Sequence, residues 1–287
     1  MNALFFAWTA SISYGLYVIS AKLIGKYQIH NTYLFSFLLT LFSGIMMAII
    51  SYTYGGRIPQ SWLFISLAAI ALSIGNVAGL AAVRVLDVSV ISPLFNIRVV
   101  MTVVLSYLFL GERYQLDAVL LMVAIIISGF FATMDEKFSL KSFFSRNILI
   151  GLLFMLLLSI QSIFINRAIE QTSYWTAMLW MSIISIIVST ILLYPKCKAD
   201  IADINPKQYM SVAVLAIIAG IGDLAAYKAF EKNVGLSSVI ISLPLSMVIA
   251  VIVAKWKPNL LENHPVKVYL VRFIATGIMI WGALQLK

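Results

Sequence analysis

Charge is scarce in this chain. Asp, Glu, Lys and Arg make up 11% of its 287 residues while hydrophobic residues make up 62%, against about 25% charged in an ordinary soluble domain. Too little polar surface is available to clothe a fold in water. Cysteine is scarcer still. The single Cys197 excludes a disulfide within the chain and any thiolate cluster for a metal. The two histidines, His30 and His264, lie far apart in polar connections, and the only adjoining acidic residues are Asp135-Glu136. A membrane enzyme acting on lipid or prenyl substrates would need such groups clustered at helix ends, so the chain reads as neither an enzyme nor a holder of a cofactor or metal. The net charge of +9 is scattered between apolar runs and forms no contiguous stripe. Nucleic acid is therefore not an expected partner, and loops facing an anionic membrane surface account for the excess of cations.

What the chain has in abundance is long apolar runs, with a mean hydropathy of +1.01 spread along its length. A window of roughly 20 residues, the length needed to cross a bilayer, predicts ten spans near 2–22, 32–54, 61–83, 88–110, 115–134, 147–167, 174–194, 207–229, 236–254 and 266–286. The breaks fall at "GGRIPQ" (55–60), "MDEKFSLKS" (134–142), "PKCKADIADINPK" (195–207) and "KWKPNLLENHP" (255–265). The first span lacks a basic leader and a small-residue cleavage site, so it reads as retained. The expected class is an all-α polytopic protein of the cell (inner or plasma) membrane, most simply a monomer, with lipid as its surroundings.

A faint internal repeat is present. Adding 147 to Pro59, Ala69, Gly75, Asn76, Ala78 and Ala82 reaches Pro206, Ala216, Gly222, Asp223, Ala225 and Ala229, and nearby offsets pair Lys22 with Arg167 and Pro93 with Pro244. The expected domains are thus two five-helix repeats, 1–139 and 140–287. Five spans per half is odd, so the second half enters the membrane inverted. Inverted repeats are a common basis for alternating access in secondary transporters.

The same residues carry a family resemblance. "YGLYVISAK" at 14–22 is similar to an aromatic-Gly stretch closing on a Lys. "SPLFNIRVVMTVVLSYLFLGER" at 92–113 resembles a Pro-led fourth helix ending in Leu-Gly-Glu, followed by a fifth helix with a late glycine, here Gly129. Both resemble the EamA-type, ten-helix members of the drug/metabolite transporter superfamily, and the likeness runs along essentially the whole chain. The second half departs from the pattern, with only Leu261-Glu262 similar to the Gly-Glu turn, and Tyr14 stands where a Trp is common. The resemblance implies export or exchange of a small organic metabolite, an amino acid or another solute, through a cavity lined by both halves. A flippase for a lipid-linked solute and a non-transporting membrane subunit are the alternative readings.

Ionisable groups deep in a span are costly and mark function by default. Arg98 stands about ten residues into its span, roughly 15 Å deep at ~1.5 Å per residue, too deep to snorkel. Its planar, permanently charged fork suits a carboxylate or phosphate on the solute; the bland alternative is a fixed pair with Asp223 or helix-end carbonyls. Asn96 shares its span. Asp223 and its repeat mate Asn76 put a polar group beside a glycine at similar depth, and Asp223 is the candidate for a coupling proton unless Lys228 or Arg98 holds it in an ion pair. Trp8, Ser11 and Tyr14 recur at three-residue spacing, and Gln161 with Asn166 gives the sixth span a polar side. The candidate substrate-binding set is Arg98, Asn96, Asn76, Asp223, Tyr14, Trp8 and Gln161. Gly75 with Gly79, and Gly222 with Ala226, read as close helix packing. Arg272 lies near enough to an end to snorkel. Glu112-Arg113 reads as a solvated turn, and Trp175, Trp256, Tyr114 and Tyr269 as interfacial anchors.

Two rules disagree on orientation. With Arg98 and Arg272 set aside, the connections on the N-terminal side carry six cations (Arg57, Arg113, Arg167, Lys228, Lys232, Lys287) and the opposite side the remaining twelve of the chain's 20. Loop charge therefore favours an external N-terminus, whereas the family resemblance implies cytoplasmic termini.

Overall fold

A computed structural model of the chain describes residues 3–86, 88–133, 146–243, 245, 248, 249 and 266–285. Ten α-helices and no strand occur among the described residues. They are α1 (Ala3–Tyr27), α2 (Thr32–Thr53), α3 (Leu63–Val85), α4 (Val88–Leu105), α5 (Leu116–Thr133), α6 (Arg146–Gln171), α7 (Tyr174–Ile201), α8 (Pro206–Phe230), α9 (Val234–Ile241) and α10 (Val266–Gln285). A π-turn over Ser106–Leu110 extends α4. Six of them, α1, α2, α3, α6, α7 and α8, are long and apolar enough to cross a membrane. At ~1.5 Å per residue their lengths exceed the ~30 Å hydrocarbon thickness.

Lipid cannot satisfy backbone donors, and four helix starts, those of α2, α7, α8 and α9, are capped by side chains. Asn31 accepts from Tyr33 and Leu34 N–H at the start of α2. Ser173 accepts from Thr176 at α7, and Asn233 accepts from Leu236 at α9. Asn205 and Gln208 form a reciprocal capping box at α8, with Pro206 in the first turn. Aromatic pairs sit beside the ends: Tyr54 stacks on Trp175 at 4.8 Å between ring centroids, and Trp62 meets Trp180 edge-on at 4.9 Å.

Several predicted boundaries move. The predicted break from residue 195 is instead the last part of α7, which runs through Pro195 to Ile201. Proline removes one helical bond and ordinarily kinks or stops a helix. Here Leu193 and Cys197 on either side are both buried in the core, and their packing carries the helix past it. Helices α1 and α6 outrun their predicted ends by a few residues, because the polar ends bearing Lys22, Lys26, Arg167 and Glu170 continue the helix beyond the apolar stretch. Helix α9 begins at Val234 and is capped at Ser242, inside the predicted 236–254 span. The breaks at 134–142 and 255–265, the 139/140 domain boundary and Leu261-Glu262 lie outside the described residues.

The principal helix pairs are α2 with α7, α3 with α6, and α1 with α8. Exchanging each helix for the one five places along turns α1–α8 into α6–α3, α4–α6 into α9–α1, and α2–α8 into α7–α3, all of which pack together. It leaves α2–α7, α4–α9 and α5–α10 unchanged. Buried apolar residues form two clusters. One, including Ala7, Ile65, Ile169, Met178, Phe230 and Val234, lies toward the face where α1 begins, called the N-terminal face here. The other, including Ile24, Leu34, Phe35, Val83, Leu193 and Leu215, lies toward the opposite face.

The α2–α7 crossing is close because Gly44 faces Ile186: a Cβ at Gly44 would lie 2.8 Å from Ile186 Cγ1. Gly44→Leu is expected to destabilise the protein by about 1–3 kcal/mol through overpacking. Adding Ile186→Ala is expected to restore part of the loss. Thermal unfolding of the two single variants and the double variant checks this; additive losses would mean that the two side chains do not share the space.

Candidate functional site

Between the two apolar clusters lies a partly enclosed cavity whose walls come from seven helices of both halves. Helix α1 supplies Tyr14 and Tyr17, α2 Thr40 and Ser43, α3 Asn76, α4 Phe95 and Arg98, α6 Phe154 and Gln161, α7 Ser182 and Ser185, and α8 Asp223 and Tyr227. Apolar walls with a few placed polar groups are the usual make-up of a small-molecule site.

Arg98 is 3% exposed. One terminal guanidinium nitrogen donates to Ser162 Oγ at 3.2 Å, and Nε is buried without a partner. Among the described residues the ion pairs are Arg167–Glu170 and Lys228–Glu231, both at helix ends, so Asp223 forms no ion pair with Arg98. The turn of α4 that carries Arg98 is itself anchored: Ser159 Oγ donates to the Arg98 carbonyl at 3.3 Å and accepts from Thr102 Oγ1 at 3.0 Å. A buried cation without a direct ion-pair partner carries a desolvation penalty of several kcal/mol. An anionic group entering the cavity would offset it.

Asp223 accepts a hydrogen bond from the Tyr14 hydroxyl at 2.6 Å. The ring can lie there because residue 222 is glycine: an added Cβ would come within 2.9 Å of Tyr14 Cε1. Its repeat mate Asn76 donates to Thr40 Oγ1 at 3.0 Å. Lys228 pairs with Glu231 at 2.5 Å, so the expected alternative of Lys228 holding Asp223 is not met. Gln161 lines the cavity while donating to the Tyr227 hydroxyl at 2.8 Å. Gly79 is packed under the Phe154 ring, in keeping with the packing role read for it.

The cavity thus gathers Arg98, Asn76, Asp223, Tyr14 and Gln161. Trp8 lies elsewhere, partly buried and packed on the apolar cluster of the N-terminal face. Asn166 donates to the Phe230 carbonyl at 2.8 Å, tying α6 to the end of α8. The side chains of Asn96 and Arg272 lie outside the described ones. Tyr227, Phe95 and Ser162 were missed by the sequence reading, although the signal was there. Tyr227 stands four residues after Asp223 and Phe95 three before Arg98, the spacings that share a helix face.

Glu112 and Tyr114 correct a second expectation. Glu112 is not a free solvated residue: its carboxylate accepts from Val234 N–H at 2.6 Å and Gly235 N–H at 3.0 Å. Tyr114, read as an interfacial anchor, donates to the same carboxylate at 2.5 Å. Burial first, and then that hydrogen bond, raise the Tyr114 phenol above its ordinary pKa of 10.0 and keep it a donor. Turn sequences disclose a cap only when the helix they serve is nearby in the chain, and this one is 122 residues away.

If the Tyr14–Asp223 bond holds α1 to α8, Tyr14→Phe removes the donor while Asp223→Asn keeps an acceptor. Tyr14→Phe is then expected to cost about 1–3 kcal/mol and Asp223→Asn clearly less. Thermal unfolding of the purified variants reads the order; a reversed order would show that the bond does not support the fold.

Comparison with known proteins supports the resemblance read from the motifs. The sequence model of the EamA-like transporter family matches residues 1–134. No curated protein matches the chain. A solved structure described only as a "Crystal structure of protein" is similar with a TM-score of 0.69 and 15% identity, covering 98% of this chain and 94% of that one; at that identity the likeness is one of fold. The chain is a multi-pass membrane protein whose residues 1–134 match the model of the EamA-like transporter family.

Proposed function

We propose that this protein is a secondary transporter that carries a small organic metabolite bearing an acidic group, an amino acid or another such solute, by alternating access, as an exporter or exchanger. The observation that supports this best is Arg98, buried at the wall of the cavity with no ion pair among the described residues and with Nε unpartnered. The guanidinium is the proposed contact for the solute's anionic group. Asn76, Asp223, Tyr14 and Gln161 are its proposed neighbours, and Asp223 is the candidate carrier of a coupling proton. The helix packing is in keeping with two inverted five-helix repeats, 1–139 and 140–287, since the main helix pairs survive the five-place exchange. Apolar clusters toward both faces, with the cavity between them, are in keeping with two gates around one site.

The test is untargeted metabolite profiling of cells and medium, with wild type and Arg98→Ala expressed at matched levels. Wild type should displace at least one acidic solute across the membrane, and Arg98→Ala should reduce that displacement about tenfold or more, as expected for removal of a buried charge partner. Undiminished transport by folded Arg98→Ala and Asp223→Asn proteins would overturn the site assignment.

A further inference from the structure

We propose that Glu112 is a latch: carried by the first half of the chain, its carboxylate grips the N-terminus of α9 in the second half and holds the N-terminal face shut over the cavity. The proposal rests on the alternating-access reading and adds to it the contact that must break for this face to open.

The grip is built from both sides. On the first-half side, the π-turn over Ser106–Leu110 ends in Gly111, whose φ of +69° is a left-handed conformation that glycine adopts without strain. The Glu112 N–H closes back on the Ser106 carbonyl at 3.4 Å, and the Tyr114 hydroxyl meets Ser106 Oγ at 2.6 Å. The carboxylate is thereby aimed. On the second-half side, the first N–H groups of α9 point at it with the positive end of the helix dipole behind them. Asn233 takes the Leu236 N–H at 2.7 Å, leaving those of Val234 and Gly235 for Glu112. Residue 235 is glycine where a Cβ would collide with the Tyr114 hydroxyl and lie 3.1 Å from Glu112 Oε2.

This contact also lies where a gate would act. Leu110, Tyr114, Val234 and Leu236 belong to the apolar cluster of the N-terminal face, together with Phe230 from the cavity wall. Arg167 of α6 donates to the Phe109 carbonyl in the same π-turn. Two second-half helices therefore clasp the end of α4. Opening this face requires α4 and α9 to part there, and the strongest bonds to be released are the charge-assisted ones to Glu112.

The experiment uses the full chain in membrane vesicles of both orientations, with Cys197→Ser removing the chain's own thiol and Ser43→Cys placing a reporter in the cavity wall. A membrane-impermeant maleimide is added from one face at a time. Glu112→Gln should raise labelling from the N-terminal face about tenfold, the scale of losing one charge-assisted hydrogen bond, without raising it from the opposite face. Glu112→Asp, which keeps the charge, should give a smaller rise. Glu112→Gln protein that unfolds like the parent yet labels at the parent's rate would overturn the latch. Should Glu112→Gln fail to fold, Tyr114→Phe, which removes only the phenol's bond, must still raise labelling from the N-terminal face, and the parent rate there overturns the latch equally. A reporter reached from neither face in any variant would defeat alternating access itself, whereas a parent that labels but ignores Glu112 defeats the latch alone.

Discussion

A permanent cation that forms no ion pair among the described residues, buried in the middle of a membrane protein, is the constraint around which the rest of this structure is arranged. Arginine cannot discard its proton to escape burial, and from the middle of α4 it cannot reach water along its own stem. Its surroundings must therefore supply polarity without neutralising it. They do so with hydroxyls and amides: Ser162 on the guanidinium, Ser159 on the backbone beside it, and Tyr14, Asn76 and Gln161 around the same cavity. The carboxylate that could have quenched it, Asp223, is turned to Tyr14 instead. Keeping opposite charges in one cavity but out of contact leaves a field that a solute can satisfy, where a closed pair would leave little.

That arrangement demands close, exact helix packing, because a polar cavity open to lipid would be ruinous. Small residues provide it at the crossings. Gly44 lets α2 meet α7, Gly222 admits the Tyr14 ring between α1 and α8, and Gly79 admits Phe154 between α3 and α6. The latter two crossings exchange with each other under the five-place shift, and the first maps onto itself. Helix crossings in lipid gain no hydrophobic drive from burying apolar side chains, so contact distance and interhelical hydrogen bonds decide them. The same three crossings bound the cavity, which links the packing directly to the site.

Much of this was legible in the sequence, and the reasons for the rest are physical. The all-helical, multi-pass character came from hydropathy, and Arg98 and Asp223 stood out because charge in hydrocarbon is expensive. Helix ends were less legible. Pro195 suggested a stop, but burial of Leu193 and Cys197 outweighs one lost helical bond, and α7 continues. Partners were the least legible of all. Tyr14 as the holder of Asp223 lies 209 residues away, and the tyrosine signals nothing in isolation. Trp8, attractive by spacing with Tyr14, packs into the core. A period of three places residues on adjoining strips of a helix, and over six residues the strip turns away from the cavity.

Glu112 makes the same point for energetics. Read along the chain, Leu-Gly-Glu-Arg is a polar turn with a glycine to reverse direction, and nothing local distinguishes it from a solvated loop. In three dimensions its carboxylate completes a helix cap begun by Asn233, so one half of the molecule supplies what the other half's backbone lacks. A helix whose first donors are satisfied from within its own repeat would be indifferent to movement between repeats. The donors of α9 are not, because part of their satisfaction crosses the boundary, and separating the halves at that point exposes two N–H groups and a carboxylate together. On the alternating-access reading proposed above, motion between the two five-helix repeats would be tied to hydrogen bonds that must be remade with water or with other protein groups, and the free-energy difference between conformations would be set locally by how well that exchange can be made.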